Sequence, residues 1–297
     1  MRKFSRMSLA SFLASALVAA WAVALPPEGQ EVTVTPRGLV QQTVENEVKS
    51  SDASTRFMFR SRKQTAGNSQ TKLMVQTRDA TAGMLIAIND KPLTPEQRQG
   101  EEGRLEYLVH NPAELKRKQK QEAENADRVR RIVRALPDAF IYELDGTENG
   151  RRGIGREGDR LIRLKFRPNP HYAPPSRVEQ VLVGMQGILF IDEKRHRIAR
   201  MDGTLFKDVS FGWGILGHLD KGGRFQVEQG NVADDGWEVT RMSLNFTGKV
   251  LLFKSIAIKS EEQFSDFRRV PTNLSFAEGV ALLKKQQSGN NASTSGG

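Results

Sequence analysis

The sequence predicts a mainly β, α+β protein: one large curved antiparallel sheet or half-barrel of about ten to twelve strands. Two or three helices accompany it, one block acting as a cover. Three observations lead there. From Pro137 onward the apolar residues keep a period of two almost to the C-terminal region. Successive strand-like runs are joined by short polar or Gly-containing links, which leave no room for the crossovers that parallel neighbours require. A sheet of that size curls or closes, and its concave side then has to be filled, by its own side chains or by a ligand.

The N-terminus sets the compartment. Arg2, Lys3 and Arg6 precede an apolar run from Leu9 to Leu25, followed by Pro26-Pro27. A basic start, a short apolar stretch and the small-x-small end Ala22-Val23-Ala24 form a signal peptide, 1–24, with cleavage after Ala24. The competing reading is an uncleaved anchor, for which the run is near the short limit. Export is the expectation, to the periplasm or beyond. The absence of cysteine excludes disulfides, thiolate metal sites and Cys nucleophiles.

Thr35-Pro36 marks a helix start, with Leu39, Val40, Val44 and Val48 at helical spacing to about Ser50. Strand-like runs follow at 56–60, 71–77 and 84–88. Thr94-Pro95-Glu96-Gln97 is a capping box opening a helical insertion, 94–136, whose second helix starts at Asn111-Pro112. Its stretch 114–125 is polar all round, either a solvated face or a mobile arm, whereas Ala126, Val129, Ile132, Val133 and Leu136 form an apolar stripe. Further strands are expected at 139–144, 161–166, 188–191, 197–201, 205–211, 224–229 and 237–244. In a final run Val250, Leu252, Ile256 and Ile258 share a face. A last helix is capped by Ser275, and the tail 286–297 has a disordered composition.

The formal charge is +10, or +7 once the three cations of the leader are removed. In an exported protein that excess fits anionic lipid or polysaccharide better than nucleic acid, or it serves solubility alone. Chemistry is sparse. Two G-x-G-x-x-G matches, at Gly153/Gly155/Gly158 and Gly212/Gly214/Gly217, lack the following helix that a dinucleotide fold needs. His110, His171, His196 and His218 have no metal-ligand spacing, and Asp192, Asp202 and Asp208 read as turn or strand-end acceptors. No G-x-S-x-G elbow is present. No cofactor, metal or catalytic residue is implied.

The segment Gly187-Ile188-Leu189-Phe190-Ile191-Asp192, followed by Arg197-Ile198-Ala199-Arg200-Met201-Asp202-Gly203, resembles the L-W-I-D … R-I-x-R/K hairpin of outer-membrane lipoprotein-sorting and carrier proteins. Together with 166–170, 211–217 and 251–254, it looks like an uncharacterised family of secreted bacterial proteins sharing that hairpin. The likeness covers 137–271 best, and Phe190 stands where those relatives have Trp. It implies one carrier-like domain over 25–285, a half-barrel with a helical lid over an acyl-chain pocket.

The expectation is therefore an exported, non-catalytic binding protein for a lipid-like ligand or a lipidated protein. Phe166, Phe190, Phe211, Trp213 and Phe225 are the cavity candidates. Lys116, Lys118, Arg128, Arg131, Arg151 and Arg152 are the headgroup, membrane-surface or partner contacts. The alternatives are an envelope protein-interaction or sensory module with a plugged cavity, and a cell-envelope hydrolase.

Overall fold

The caps that open the helices are where the local chemistry puts them. In a computed structural model describing residues 35–51, 55–211, 217–233, 236–250 and 254–294, helix α1 (Pro36–Ser51) starts after Thr35, whose Oγ1 accepts from the Gly38 amide. Helix α2 (Pro95–His110) has the reciprocal capping box of Thr94 and Gln97. Helix α3 (Pro112–Ala139) carries Pro137 inside its last turn, so it runs three residues past the expected end. Helix α4 (Phe276–Thr294) follows Ser275, which exchanges bonds with Glu278 in a second capping box. The expected onset of the tail, Gln286, falls within its final turns.

The strands are β1 (Arg56–Thr65), β2 (Asn68–Val75), β3 (Ala82–Ile88), β4 (Lys91–Pro92), β5 (Phe140–Asn149), β6 (Arg160–Pro168), β7 (Met185–Asp192), β8 (Arg197–Leu205), β9 (Val209–Phe211), β10 (Gly217–Leu219), β11 (Arg224–Asn231), β12 (Trp237–Val250) and β13 (Lys254–Val270). They form one 13-stranded antiparallel sheet in the order β4-β3-β2-β1-β13-β12-β11-β8-β7-β6-β5, with β9 and β10 as a side branch from β12. The sheet stays open, with β4 and β5 as its edges. A 3-10 turn, Glu179–Gly184, precedes β7.

The differences from expectation have local causes. The stretch 245–249, expected as a link, continues β12, because Asn245 to Val250 keep pairing with β13. The final run is therefore two strands: Val250 ends β12 and pairs with Lys254, while Leu252 lies outside the described residues. The register that joins the two halves, β1 against β13, links residues about 200 positions apart and has no local signature.

Following paired neighbours shows which side chains share a face. Leu164, Leu189, Met201, Val227, Met242, Glu262 and Lys63 lie side by side from β6 to β1. On this face α1 and the end of α3 bury Leu39, Val40, Val44, Leu136 and Ala139 against Leu164, Leu189 and Leu205. A second core uses the other face at the opposite end of the sheet. There α4 packs Phe276, Val280 and Leu283 on Leu73, Val75, Ala82 and Met84, with Leu105 of α2 alongside. The cover is thus divided among four helices instead of being one block.

Arg197 joins α1 to the sheet. Its guanidinium forks on Glu47 at 2.9 and 3.1 Å and donates to Ser50 Oγ at 2.8 Å. The Ile198 amide also donates to Glu47, and the Trp237 ring lies under Arg197. This largely buried charge is thereby paired and hydrogen-bonded, the condition under which it is tolerated.

Candidate functional site

Strand β3 is nearly an edge. Strand β4 pairs only with Ala87 and Ile88, so the rest of β3 would present unpaired N–H and C=O groups. Helix α2 takes the place of a neighbouring strand with side chains. The Leu85 amide donates to Glu101 Oε1 at 2.7 Å, and Arg104 donates to the Gly83 carbonyl at 2.7 Å. Arg104 also forks on Glu101, with both bonds at 2.7 Å. Burial pushes the Glu101 carboxyl up, but Arg104 and the Leu85 amide outweigh it and hold the group below its ordinary range. Farther along the edge, the Thr81 amide donates to Glu122 of α3, which Lys118 pairs at 2.7 Å.

Behind this seam lies a cavity of about 220 Å³. Met74, Leu85, Leu105, Leu108 and Phe276 give it an apolar floor, while Lys72, Arg104 and Lys118 stand around it with Glu101 as an acid among them. Gly83 helps keep it open: a Cβ there would come 2.8 Å from Met74 Sδ. Around the void α2 and α3 contribute Glu101, Arg104 and Lys118 as well as Leu105 and Leu108. Leu105 is the one fully buried side chain of α2, and Tyr107 points outward. Only the end of the expected apolar stripe of α3 fills the space against the sheet, with Ile132, Val133 and Leu136; Val129 is 63% exposed and Ala126 lines a polar cleft.

Helix α2 is also intrinsically weak. Gly100 and Gly103 sit in its interior with nothing within 4 Å of a Cβ at either position. Neither glycine is needed for packing, yet each costs a helix about 1 kcal/mol relative to Ala. The segment over the cavity is held by its cap, Leu105, the Glu101–Arg104 pair and an ion pair from Glu106 to Lys284.

The candidate residues from sequence do not meet in one place. Phe166 is buried and tilts against Phe140, with ring centroids 4.6 Å apart, beside Tyr142. Phe211 and Phe225 are half-buried at the margin of the same core. The Phe225 ring lies over Gly203, where a Cβ would come 1.9 Å from the ring. Phe190 points to the opposite face and packs with Ile154, Leu161 and Ala199 under Arg200. Alternation along β7 decides this, since Leu189 and Ile191 take the other side. Trp213 lies outside the described residues, as do Ala22 and Ala24. Of the four described aromatics, Phe166, Phe211 and Phe225 thus lie in or beside the core that α1 and α3 fill, and Phe190 lies on the other face.

Among the cations, Lys118 reaches the cavity described above. Lys116 is exposed, Arg128 donates to Asn125 and Arg131 pairs with Asp127 at 3.2 Å, all along α3. Arg151 and Arg152 stand on the β5–β6 loop. The histidines sit on four separate elements: His110 ends α2, His171 follows the Asn169 turn, His196 occupies the β7–β8 turn and His218 pairs with Asp220. Asp192 is a turn acceptor for the Lys194 and Arg195 amides, and Asp208 accepts from the Lys221 amide. Asp202 pairs with Arg200 at 2.7 Å.

A larger polar cleft, about 540 Å³, lies between the middle of α3 and the β2–β3 turn. Several of its charged groups already hold the fold. Asp79 accepts from the Phe276 amide, Arg56 donates to the Thr77 and Thr272 carbonyls, and Glu122 holds Thr81. Glu238 also lines it. Burial pushes its carboxyl up, Arg197 counteracts this, and Glu47 adds to the rise.

Sequence reading missed the Glu101–Arg104 seam, although its i, i+3 spacing on a helix was visible. What it could not show is that β3 would lie at an edge. No protein-family model, curated protein or solved structure matches the chain.

Proposed function

We propose that the protein is a non-catalytic binding protein of the cell envelope that takes the apolar end of an anionic amphiphile beneath α2. The observation carrying this reading is the cavity of about 220 Å³, apolar in its floor and ringed by Lys72, Arg104 and Lys118. An alkyl tail matches the floor, and a phosphate or carboxylate matches Lys72, with Arg104 and Lys118, already paired with Glu101 and Glu122, adding to the field. The export signal and the carrier-like hairpin read from sequence support it.

Volume limits what the cavity holds. At about 30 Å³ for each water-sized group, the space takes roughly seven such groups. Six buried methylenes at ~0.8 kcal/mol each contribute about 5 kcal/mol, near the value for a millimolar complex. Useful affinity for a longer chain then needs the headgroup contact, displacement of α2, or both. The two unpacked glycines make α2 the segment that yields first.

The test is calorimetric titration of the purified protein with dodecyl phosphate, against dodecyl maltoside as a neutral headgroup. The expected result is tighter binding of the phosphate, weakened by Lys72→Glu and abolished by Leu108→Trp, which fills the space. Absence of binding, or binding indifferent to both substitutions, overturns the proposal.

A further inference from the structure

The antiparallel order places the end of β5, the start of β6, the end of β7 and the start of β8 at one end of the sheet. Two loops meet there. The β5–β6 loop contributes Arg151, Arg152 and Arg156, Arg160 opens β6, and the β7–β8 turn contributes Lys194 and Arg195. Glu157, Asp159 and Glu193 are the acids among these segments, so the six cations leave the cluster a net charge of +3, within a chain total of +10.

Both loops are rigidly built. Arg151 and Ile154 exchange backbone bonds around Arg152-Gly153, with Gly153 at φ +84°. The Gly155 amide donates to the Gln229 carbonyl, and the Asn231 amide to the Gly155 carbonyl. Thr240 donates to the Gly153 carbonyl from the neighbouring strand. A side chain at Gly230 would meet Gly153 and Gly155 backbone at 2.9 Å, so the loop lies flat on the sheet. The facing turn is held by Asp192 and by Asn46, which donates to the Arg195 and His196 carbonyls. Asp159 then clasps the two loops, accepting from Lys194 at 2.7 Å and from Arg195 at 2.8 Å.

Ile154, the apolar residue of the loop, is buried with Leu161, Phe190 and Ala199, so it is not available for insertion into a lipid layer. The exposed cations Arg151, Arg152, Arg156, Arg160 and Lys194, of which Arg160 pairs with Glu193 and Lys194 with Asp159, form an array instead of a pocket. An array of fixed cations suits a surface of repeated anions better than one small ligand. We infer that this end of the sheet docks on a bilayer containing anionic phospholipid, through Arg151, Arg152, Arg156, Arg160 and Lys194, by electrostatic contact with the headgroups. This goes beyond the amphiphile reading and stands or falls apart from it, since vesicle docking and alkyl phosphate binding are different measurements.

The experiment is co-sedimentation of the full chain with phosphatidylglycerol-containing vesicles and with pure phosphatidylcholine vesicles. The apolar run near the N-terminus is common to every variant, so differences among variants read the loops. The expected result is binding to the anionic vesicles alone, reversed by ~0.5 M salt. Arg151→Glu with Arg152→Glu is expected to lower it about tenfold or more. The charge-matched pair Lys249→Glu with Lys254→Glu, at the other end of the sheet, is expected to leave at least half of it. Equal binding to the neutral vesicles, equal loss in both double variants, or no binding overturns the inference. Tighter, equally arginine-dependent binding of heparin would assign the array to acidic polysaccharide and also overturn it.

Discussion

The two helix-covered regions of the sheet solve the same problem in opposite ways. Over β5–β8, α1 and the last turns of α3 present continuous apolar stripes, and the space beneath them is solid with Leu, Ile and Phe side chains. Over β2–β3, α4 likewise packs Phe276, Val280 and Leu283 on the strands, but beside the charged faces of α2 and the first turns of α3 a void with a cationic rim remains. The comparison teaches that a covering helix by itself does not make a cavity. The cavity lies beside the charged faces of the cover, and there the cover is held by a few bonds that can be broken.

The largest expected contrast is in truncation of a buried leucine. Leu189→Ala should lower global stability by ~2–5 kcal/mol in chemical denaturation, since its site is fully enclosed. Leu105→Ala should cost less globally and instead raise amide exchange across 95–110, because α2 opens separately. Equal global losses with no local exchange signal would erase the distinction between a filled region and a coverable one. Next is Arg197→Ala, expected to cost about 3 kcal/mol by leaving Glu47 buried without its partner. That loss should appear in the α1 region and leave exchange in α2 unchanged.

A smaller effect of opposite sign is expected at the cover itself. Gly100→Ala and Gly103→Ala should each stabilise α2 by about 0.5–1 kcal/mol, with slower exchange across the helix and slower release of dodecyl phosphate. Faster or unchanged release would separate ligand exchange from α2. The acid response sharpens the same comparison. Glu101 has a depressed pKa in the folded state, so its contribution is complete above its ordinary value of about 4.3 and is lost as pH falls through the folded value. Acidification below about pH 4.3 should therefore loosen α2 before the β5–β8 core, as read by residue-resolved exchange. Glu238 has the opposite sign: its raised pKa makes it a burden that grows as pH rises, so Glu238→Gln should raise Tm at neutral pH and lose that advantage in acid.

Legibility in the sequence followed the range of each interaction. Thr35, Thr94 and Ser275 were readable as caps because capping is settled within four residues. Strand alternation was equally local, and the register through Gly187 and Gly203 preserves it. That Phe190 and Phe166 lie on opposite faces follows from parity along paired strands, which their composition does not carry. Lys118 emerged at the cavity, but the reason it does so, the edge position of β3, lies outside its own segment.

By itself, then, the sequence determined that this chain makes long antiparallel strands, where its helices begin, and which helical stretches are polar. Those properties rest on backbone geometry, capping and spacing that a few neighbouring residues specify. The tertiary structure decided that β1 joins β13, that two cores form on opposite faces, and that a weak helix seals the β3 edge over an open space. Each depends on pairing across long stretches of chain, where the entropy of loop closure is offset by the sum of many contacts and no single residue carries the signal.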